Sequence, residues 1–178
     1  MDAINCLNGR RSIRKYMPKP IEHSVLESII SIASHSPSWK NTQITRYIAI
    51  EDISILKRIA DEFTPEFNSN IVKQVSTLIA VTFVKGRSGF ERDGSYSTKK
   101  EDRWQMFDVG AACQTFCLAA HEAGLGTVIM GIFDEDGITQ LLDIPDTQEL
   151  AALIAIGYPA DAPAMPKRKS TEDLLTYL

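Results

Sequence analysis

The eight residues Thr77-Leu78-Ile79-Ala80-Val81-Thr82-Phe83-Val84 constrain this chain more than any other stretch. They form a continuous apolar, β-branched run, the pattern of a strand buried on both faces instead of one. A second such run, Leu150-Ala151-Ala152-Leu153-Ile154-Ala155-Ile156-Gly157-Tyr158-Pro159, reads as the last core strand. Strands covered on both sides need helices to cover them, and the chain supplies these. Apolar residues Val25, Leu26, Ile29, Ile30 and Ala33 repeat at helical spacing, with Pro37 as the expected stop. Asp52 is placed to cap a helix through Ile55, Leu56, Ile59 and Phe63, and Asp134 or Asp136 one over Ile138, Leu141 and Leu142.

Residues 101–123 predict a long helix that is apolar nearly all round, with Trp104, Phe107, Ala111, Ala112, Phe116, Leu118 and Ala119. A helix of that kind lies in a core or at a subunit contact. Gly124-Leu125-Gly126 ends it, ahead of a short strand, Thr127-Val128-Ile129-Met130-Gly131. Between residues 85 and 103 the composition turns polar and rich in Gly and Ser, so a mobile loop over a site is expected there. The 178 residues read as one domain, 1–178, with neither internal repeats nor low-complexity tracts.

The second constraint is chemical. Asn8-Gly9-Arg10-Arg11-Ser12-Ile13-Arg14-Lys15-Tyr16 gathers four cations and a hydroxyl in a chain of net charge −4. Guanidinium forks and a serine hydroxyl suit a phosphate, although an isolated Arg-Arg pair is more often a solvated turn. The acidic balance excludes nucleic acid as the main partner, so the cations serve a local purpose. No apolar run is long enough to span a membrane, and the first residues lack the apolar core of a signal peptide, which reads as a cytoplasmic protein.

Three histidines and three cysteines show no metal-ligand spacing; Cys113 and Cys117 read as small hydrophobes on one helical face. Gly124-x-Gly126 stands after a helix and before a strand, the wrong order for a dinucleotide fingerprint, and no triphosphate-binding loop or nucleophile elbow is present. If the chain is an enzyme, a bound cofactor carries its chemistry while the protein supplies position and charge.

Five motifs then occur in order: Arg10-Arg11-Ser12-Ile13-Arg14-Lys15-Tyr16; Ser36-Pro37-Ser38-Trp39-Lys40-Asn41-Thr42-Gln43; Asp108-Val109-Gly110-Ala111-Ala112-Cys113-Gln114 with Gly124-Leu125-Gly126-Thr127; Ile156-Gly157-Tyr158-Pro159; and Lys167-Arg168-Lys169. In this order the chain resembles the nitroreductase family of FMN-dependent oxidoreductases over essentially its whole length. The resemblance implies an α+β fold, a central and mainly antiparallel sheet flanked by helices, in an intertwined homodimer with FMN at the subunit interface.

Carried over by position, Arg10, Arg11, Ser12 and Arg14 would hold the phosphate, ribityl chain and pyrimidine edge, with Lys167 and Arg168 closing on the phosphate. Pro37, Ser38, Trp39 and Asn41 would reach the flavin of the other subunit. Asn70 and Lys73 match the family's pair at the pyrimidine end, and the turn Ile129-Met130-Gly131 would bring backbone N–H toward flavin N5. Reduced FMN carries negative charge at N1 and O2, and Lys73 and Arg14 are the candidates to stabilise it. Trp39 and Lys40 depart from the small residues usual in that loop, and no aromatic follows Gln43.

The activity this implies is NAD(P)H-dependent reduction of an electron-poor acceptor, a nitroaromatic or quinone, by ping-pong hydride transfer. The alternative of a different class is a flavin-binding sensor or carrier without turnover.

Overall fold

The computed structural model describes residues 2–178. Four strands, β1 (Thr45–Ile50), β2 (Thr77–Val84), β3 (Gly126–Met130) and β4 (Gln148–Gly157), form one antiparallel sheet in the order β1-β2-β4-β3. β2 and β4, the two apolar runs, are the central pair. Among the described residues seven α-helices accompany them: α1 (Ala3–Gly9), α2 (His23–Ala33), α3 (Ile53–Glu62), α4 (Glu66–Val72), α5 (Arg103–Glu122), α6 (Glu135–Leu141) and, exposed in the tail, α7 (Thr171–Leu174).

Side chains of a strand alternate between faces, and β2 divides accordingly. Ile79, Val81 and Phe83 pack with Leu26 and Ile29 of α2 and with Val109, Phe116 and Ala120 of α5. Leu78 and Ala80 pack on the other face with Leu56 and Ile59 of α3, Ile71 and Val72 of α4 and Ile138 of α6. Register shifts by one residue where Val81 faces Ala152 but Thr82 faces Leu150, leaving Ala151 as the extra residue of a bulge. That step lets Leu150 share a face with Leu153.

Local signals decide most helix ends. The Asp52 carboxylate accepts from the N–H groups of Ser54 and Ile55, and Asp134, not Asp136, accepts from Gly137 at the start of α6. Two expectations need correction. α2 ends at Ala33, ahead of Pro37, because turn bonds from His35 to Ile32 and from Ser36 to Ala33 unwind it first. Ile129 and Met130 are not in a turn: they pair with Ile154 and Leu153 inside β3, and only Gly131 lies beyond the strand.

Residues 85–103, expected as a mobile loop, fold back on the body. Phe90 bridges Tyr96, and Gly89, at φ 89°, approaches the Glu101 carbonyl so closely that no Cβ would fit. Among the described residues no helix is long and apolar enough to cross a membrane.

Candidate functional site

The basic segment is fixed at one corner of the sheet. Ser12 bridges Thr127 in parallel, the Ile13 N–H donates to the Thr127 carbonyl at 2.9 Å, and Tyr16 bridges Pro159 beyond β4. The Tyr16 hydroxyl is buried and lies 2.7 Å from the Ile13 carbonyl and 3.2 Å from that of Ala155; burial raises its pKa. Gly126 makes the approach possible, since a Cβ there would run into the Ile13 side chain.

Arg10, Arg11 and Arg14 stand along this segment without an acidic partner. Arg11 donates to the carbonyls of Asn8 and Arg10, and Arg14 reaches only the Ser12 carbonyl at 3.4 Å. Among the described residues, none of Arg10, Arg11, Arg14, Lys167 and Arg168 forms an ion pair, whereas Lys15, Lys40 and Lys73 do. In an acidic chain, cations left unpaired beside one another are set up for an external anion. A cavity of about 390 Å³ adjoins them, lined by Arg10, Arg11, His121, Thr127 and the connector at Pro159 and Asp161. His121 Nε2 is buried there without a hydrogen-bond partner, and burial together with the Arg10 charge lowers the His121 pKa.

The second cationic cluster leaves from the same place. The Ala160 N–H donates to the Lys15 carbonyl, and Pro163 still lines the cavity, but Lys167 and Arg168 lie in the exposed tail. Arg168 donates only to the Pro166 carbonyl, so the two clusters are not joined within the chain.

α4 places Asn70 and Lys73 differently from each other. Gln74 Nε2 donates to the carbonyls of Asn70 and Arg14, and its Oε1 accepts from the Tyr16 N–H, which ties Asn70's turn of helix to the basic segment. Lys73 turns to α3, where its ammonium meets Asp61 at 2.7 Å and holds that carboxyl below the usual range. The spacing Asn70-x-x-Lys73 therefore brings the first residue toward Arg14 and pairs the second.

The loop with Pro37, Ser38, Trp39 and Asn41 lies at another corner, ahead of β1. Ser38 Oγ accepts from the Gln43 N–H, and Trp39 packs against Trp104 with ring centroids 4.7 Å apart and the rings tilted by 40°. A second cavity, about 380 Å³, opens behind it among Ile30, Pro37, Ser38, Tyr47, Asp108 and Ala112, where the hydroxyls of Ser36 and Tyr47 are buried without partners. Asp108, which sequence reading placed only within a helical motif, anchors this loop through the Trp39 N–H.

Within the chain the two corners are far apart. Thr45 is level with Phe83 and Glu149, Thr127 with Ile156, at opposite edges of the sheet. Strands about 4.8 Å apart and a rise of about 3.4 Å per residue put these corners on the order of 30 Å from each other. Gly131, by contrast, is beside the basic corner's edge strand, with open space where a Cβ would stand. Among the described residues no cluster of His, Cys, Asp and Glu is arranged to hold a metal.

The molecule is an α+β protein whose antiparallel sheet carries unpaired arginines at one corner and a polar loop anchored by Asp108 at the other. The chain belongs to the nitroreductase family, whose pattern it matches over residues 7–158. It is similar to an Archaeoglobus fulgidus protein named "Putative NADH dehydrogenase/NAD(P)H nitroreductase", with 27% identity over 164 residues, 90% of this chain and 87% of that one. Its fold is similar to the crystal structure of a nitroreductase family protein from Clostridium novyi NT, with 28% identity, TM-score 0.77, and coverage of 93% of this chain and 89% of that one. A solved structure described as an oxidoreductase containing FMN is 26% identical, with TM-score 0.75 over 90% of this chain and 79% of that one.

Proposed function

We propose that the chain takes reducing equivalents from NAD(P)H and passes them to an electron-poor acceptor, a nitroaromatic or a quinone, the two substrates occupying one site in turn. As a member of the nitroreductase family it is an NAD(P)H-dependent oxidoreductase with FMN as its cofactor. When bound, FMN supplies the chemistry of accepting and then donating a hydride.

The observation that carries the reading is the set of unpaired cations, and it fits that group. Arg10, Arg11 and the Ser12 hydroxyl bind the phosphate and ribityl chain, with Lys167 and Arg168 arriving from the tail. Arg14 and Asn70 flank the pyrimidine end, and the backbone at Gly131 leaves room for a flat ring. Arg14, unpaired, supplies positive charge where the reduced cofactor is negative, and Lys73 adds less because Asp61 holds it and offsets its charge.

Pro37, Ser38, Trp39 and Asn41 complete the site from a second copy of the chain. The separation of the two corners supports this, as does an exposed apolar surface: Phe107 is 67% exposed on α5, Met106 50%, and Ile4 and Leu7 of α1 65% and 52%. Large apolar side chains exposed on two helices that pack together fit an interface. A homodimer interface of this class buries more than about 2,000 Å².

The test is anaerobic mixing of the FMN-loaded protein with NADH or NADPH. Bleaching of the flavin absorbance, recovered on adding a nitroaromatic or quinone, is the expected result. Flavin that stays oxidised under both nucleotides would instead identify a carrier or sensor.

A further inference from the structure

Asp108 is a carboxylate buried to 3% exposure in the middle of α5, and it forms no ion pair among the described residues. Burying a charge is costly unless hydrogen bonds replace the lost water. Here one oxygen, Oδ2, accepts from the Trp39 N–H at 2.9 Å and from the Ser88 hydroxyl at 2.6 Å. Ser88 is itself fully buried, and its oxygen lies 2.6 Å from Thr42 Oγ1. A serine hydroxyl has one proton, which goes to the carboxylate, so the Thr42 hydroxyl donates to Ser88. Asp108 thus holds residues 39–42 at both ends, directly at Trp39 and through Ser88 at Thr42.

The segment so held is strained. Lys40, Asn41 and Gln43 have φ of 45°, 56° and 49°, three non-glycine residues in the left-handed region within four positions. Each such residue is costly, and it persists only where surrounding bonds over-determine it. The Lys40 ammonium, 2.8 Å from Glu91, is a further tie, but it lies on the exposed side. The buried anchor is Asp108.

We propose that Asp108 is a positioning residue of the FMN site, one that acts through Trp39 and Thr42 to hold the loop in the shape that presents Pro37, Ser38, Trp39 and Asn41. The proposal rests on the reading above, that this loop meets the FMN bound by a second copy. Both donors converge on one oxygen, so an amide that places its carbonyl oxygen there keeps both bonds, giving up the charge and putting an NH2 where Oδ1 stood. Leucine, of similar size, keeps neither.

The experiment is an FMN titration, followed by quenching of flavin fluorescence, on apo protein of the wild type, Asp108→Asn, Asp108→Leu and Ser88→Ala, with the thermal midpoint of each recorded. Asp108→Leu should weaken FMN binding about tenfold or more, the scale of one buried hydrogen-bond network lost. Asp108→Asn should stay within about threefold of wild type, and Ser88→Ala, which cuts only the Thr42 arm, should fall between them. A residue that only supported the helix would change the thermal midpoint and leave the affinity of the folded protein alone. Wild-type affinity in folded Asp108→Leu would overturn the proposal, as would Asp108→Asn binding as poorly as Asp108→Leu. Should the leucine variant fail to fold, unaltered binding by Ser88→Ala overturns it. A wild-type protein that takes up no FMN would instead overturn the functional reading on which the proposal stands.

Discussion

The main-chain N–H of Ile13 donates to the carbonyl of Thr127 at 2.9 Å, and this bond fixes the basic segment against the edge of β3. The segment can lie this close to β3 because residue 126 has no side chain. A Cβ at Gly126 would collide with three atoms of Ile13, which is itself buried. Gly126→Ala should therefore destabilise the protein by about 1–3 kcal/mol, the usual cost of overpacking, and loosen FMN binding in the protein that does fold. Thermal denaturation checks the first effect and flavin titration the second; a variant as stable as wild type would mean that Ile13 moves aside freely.

Arg10 has no ion partner among the described residues, so its removal costs the ligand and spares the fold. Arg10→Ala should weaken FMN by about 1.5–3 kcal/mol, the range for a hydrogen bond to a charged group, with an unchanged thermal midpoint. Riboflavin, which lacks the phosphate, should bind wild type far less tightly than FMN and be indifferent to the substitution. Isothermal titration with both ligands decides this. Equal affinity for FMN and riboflavin would remove the phosphate from the account.

Arg14 and Lys73 differ in their surroundings, and a redox titration separates them. Arg14→Ala should lower the midpoint potential of bound FMN and slow its reduction by NAD(P)H. Lys73→Ala should do the same to a smaller degree, because the Asp61 carboxylate at 2.7 Å already offsets part of the lysine's charge. Asp61→Asn should then raise the potential. A midpoint unmoved by all three substitutions would mean that neither cation faces the reduced ring.

The clamp between residues 85–103 and the 37–43 loop is acid-sensitive. Hydrogen bonds from Lys40 and then Ser97 hold the Glu91 carboxyl below the usual range. A depressed carboxyl pKa contributes stability above the unfolded value, about 4.3, which is lost as pH falls through the folded one. Hydrogen exchange of residues 85–103 should be faster in Lys40→Met than in wild type at neutral pH, and the gap should close as pH drops through the folded pKa of Glu91. A gap that persists in acid would show that the pair is not what restrains this segment.

The sheet was legible because β2 and β4 are buried on both faces and need no knowledge of their neighbours to be recognised. Helix starts at Asp52 and Asp134 were equally plain, since a cap is made within four residues. The basic segment stood out by composition, being cationic in an acidic chain. What stayed hidden depends on residues distant in sequence. Asp108 lies within an apolar helix, and its use is decided by Trp39 and Ser88, 69 and 20 residues away. Asn70 and Lys73 share a helical spacing, yet Asp61 of another helix draws the lysine aside. Residues 85–103 were polar enough to read as mobile, but Ser88 and Gln105 take up main-chain and side-chain partners that composition does not reveal: Ser88 bonds Asp108, and Gln105 accepts from the Gly86 N–H.

Mixed dimers test whether one FMN site draws on opposite corners of two sheets. Arg10→Ala and Asn41→Ala homodimers should both bind FMN weakly. When the two variants are unfolded together, refolded, and the mixed dimer isolated by distinct affinity tags, one of its sites carries both substitutions and the other carries none. One FMN per mixed dimer should bind with wild-type affinity. A mixed dimer without any wild-type site would place Arg10 and Asn41 around the same FMN within one protomer, and would contradict it.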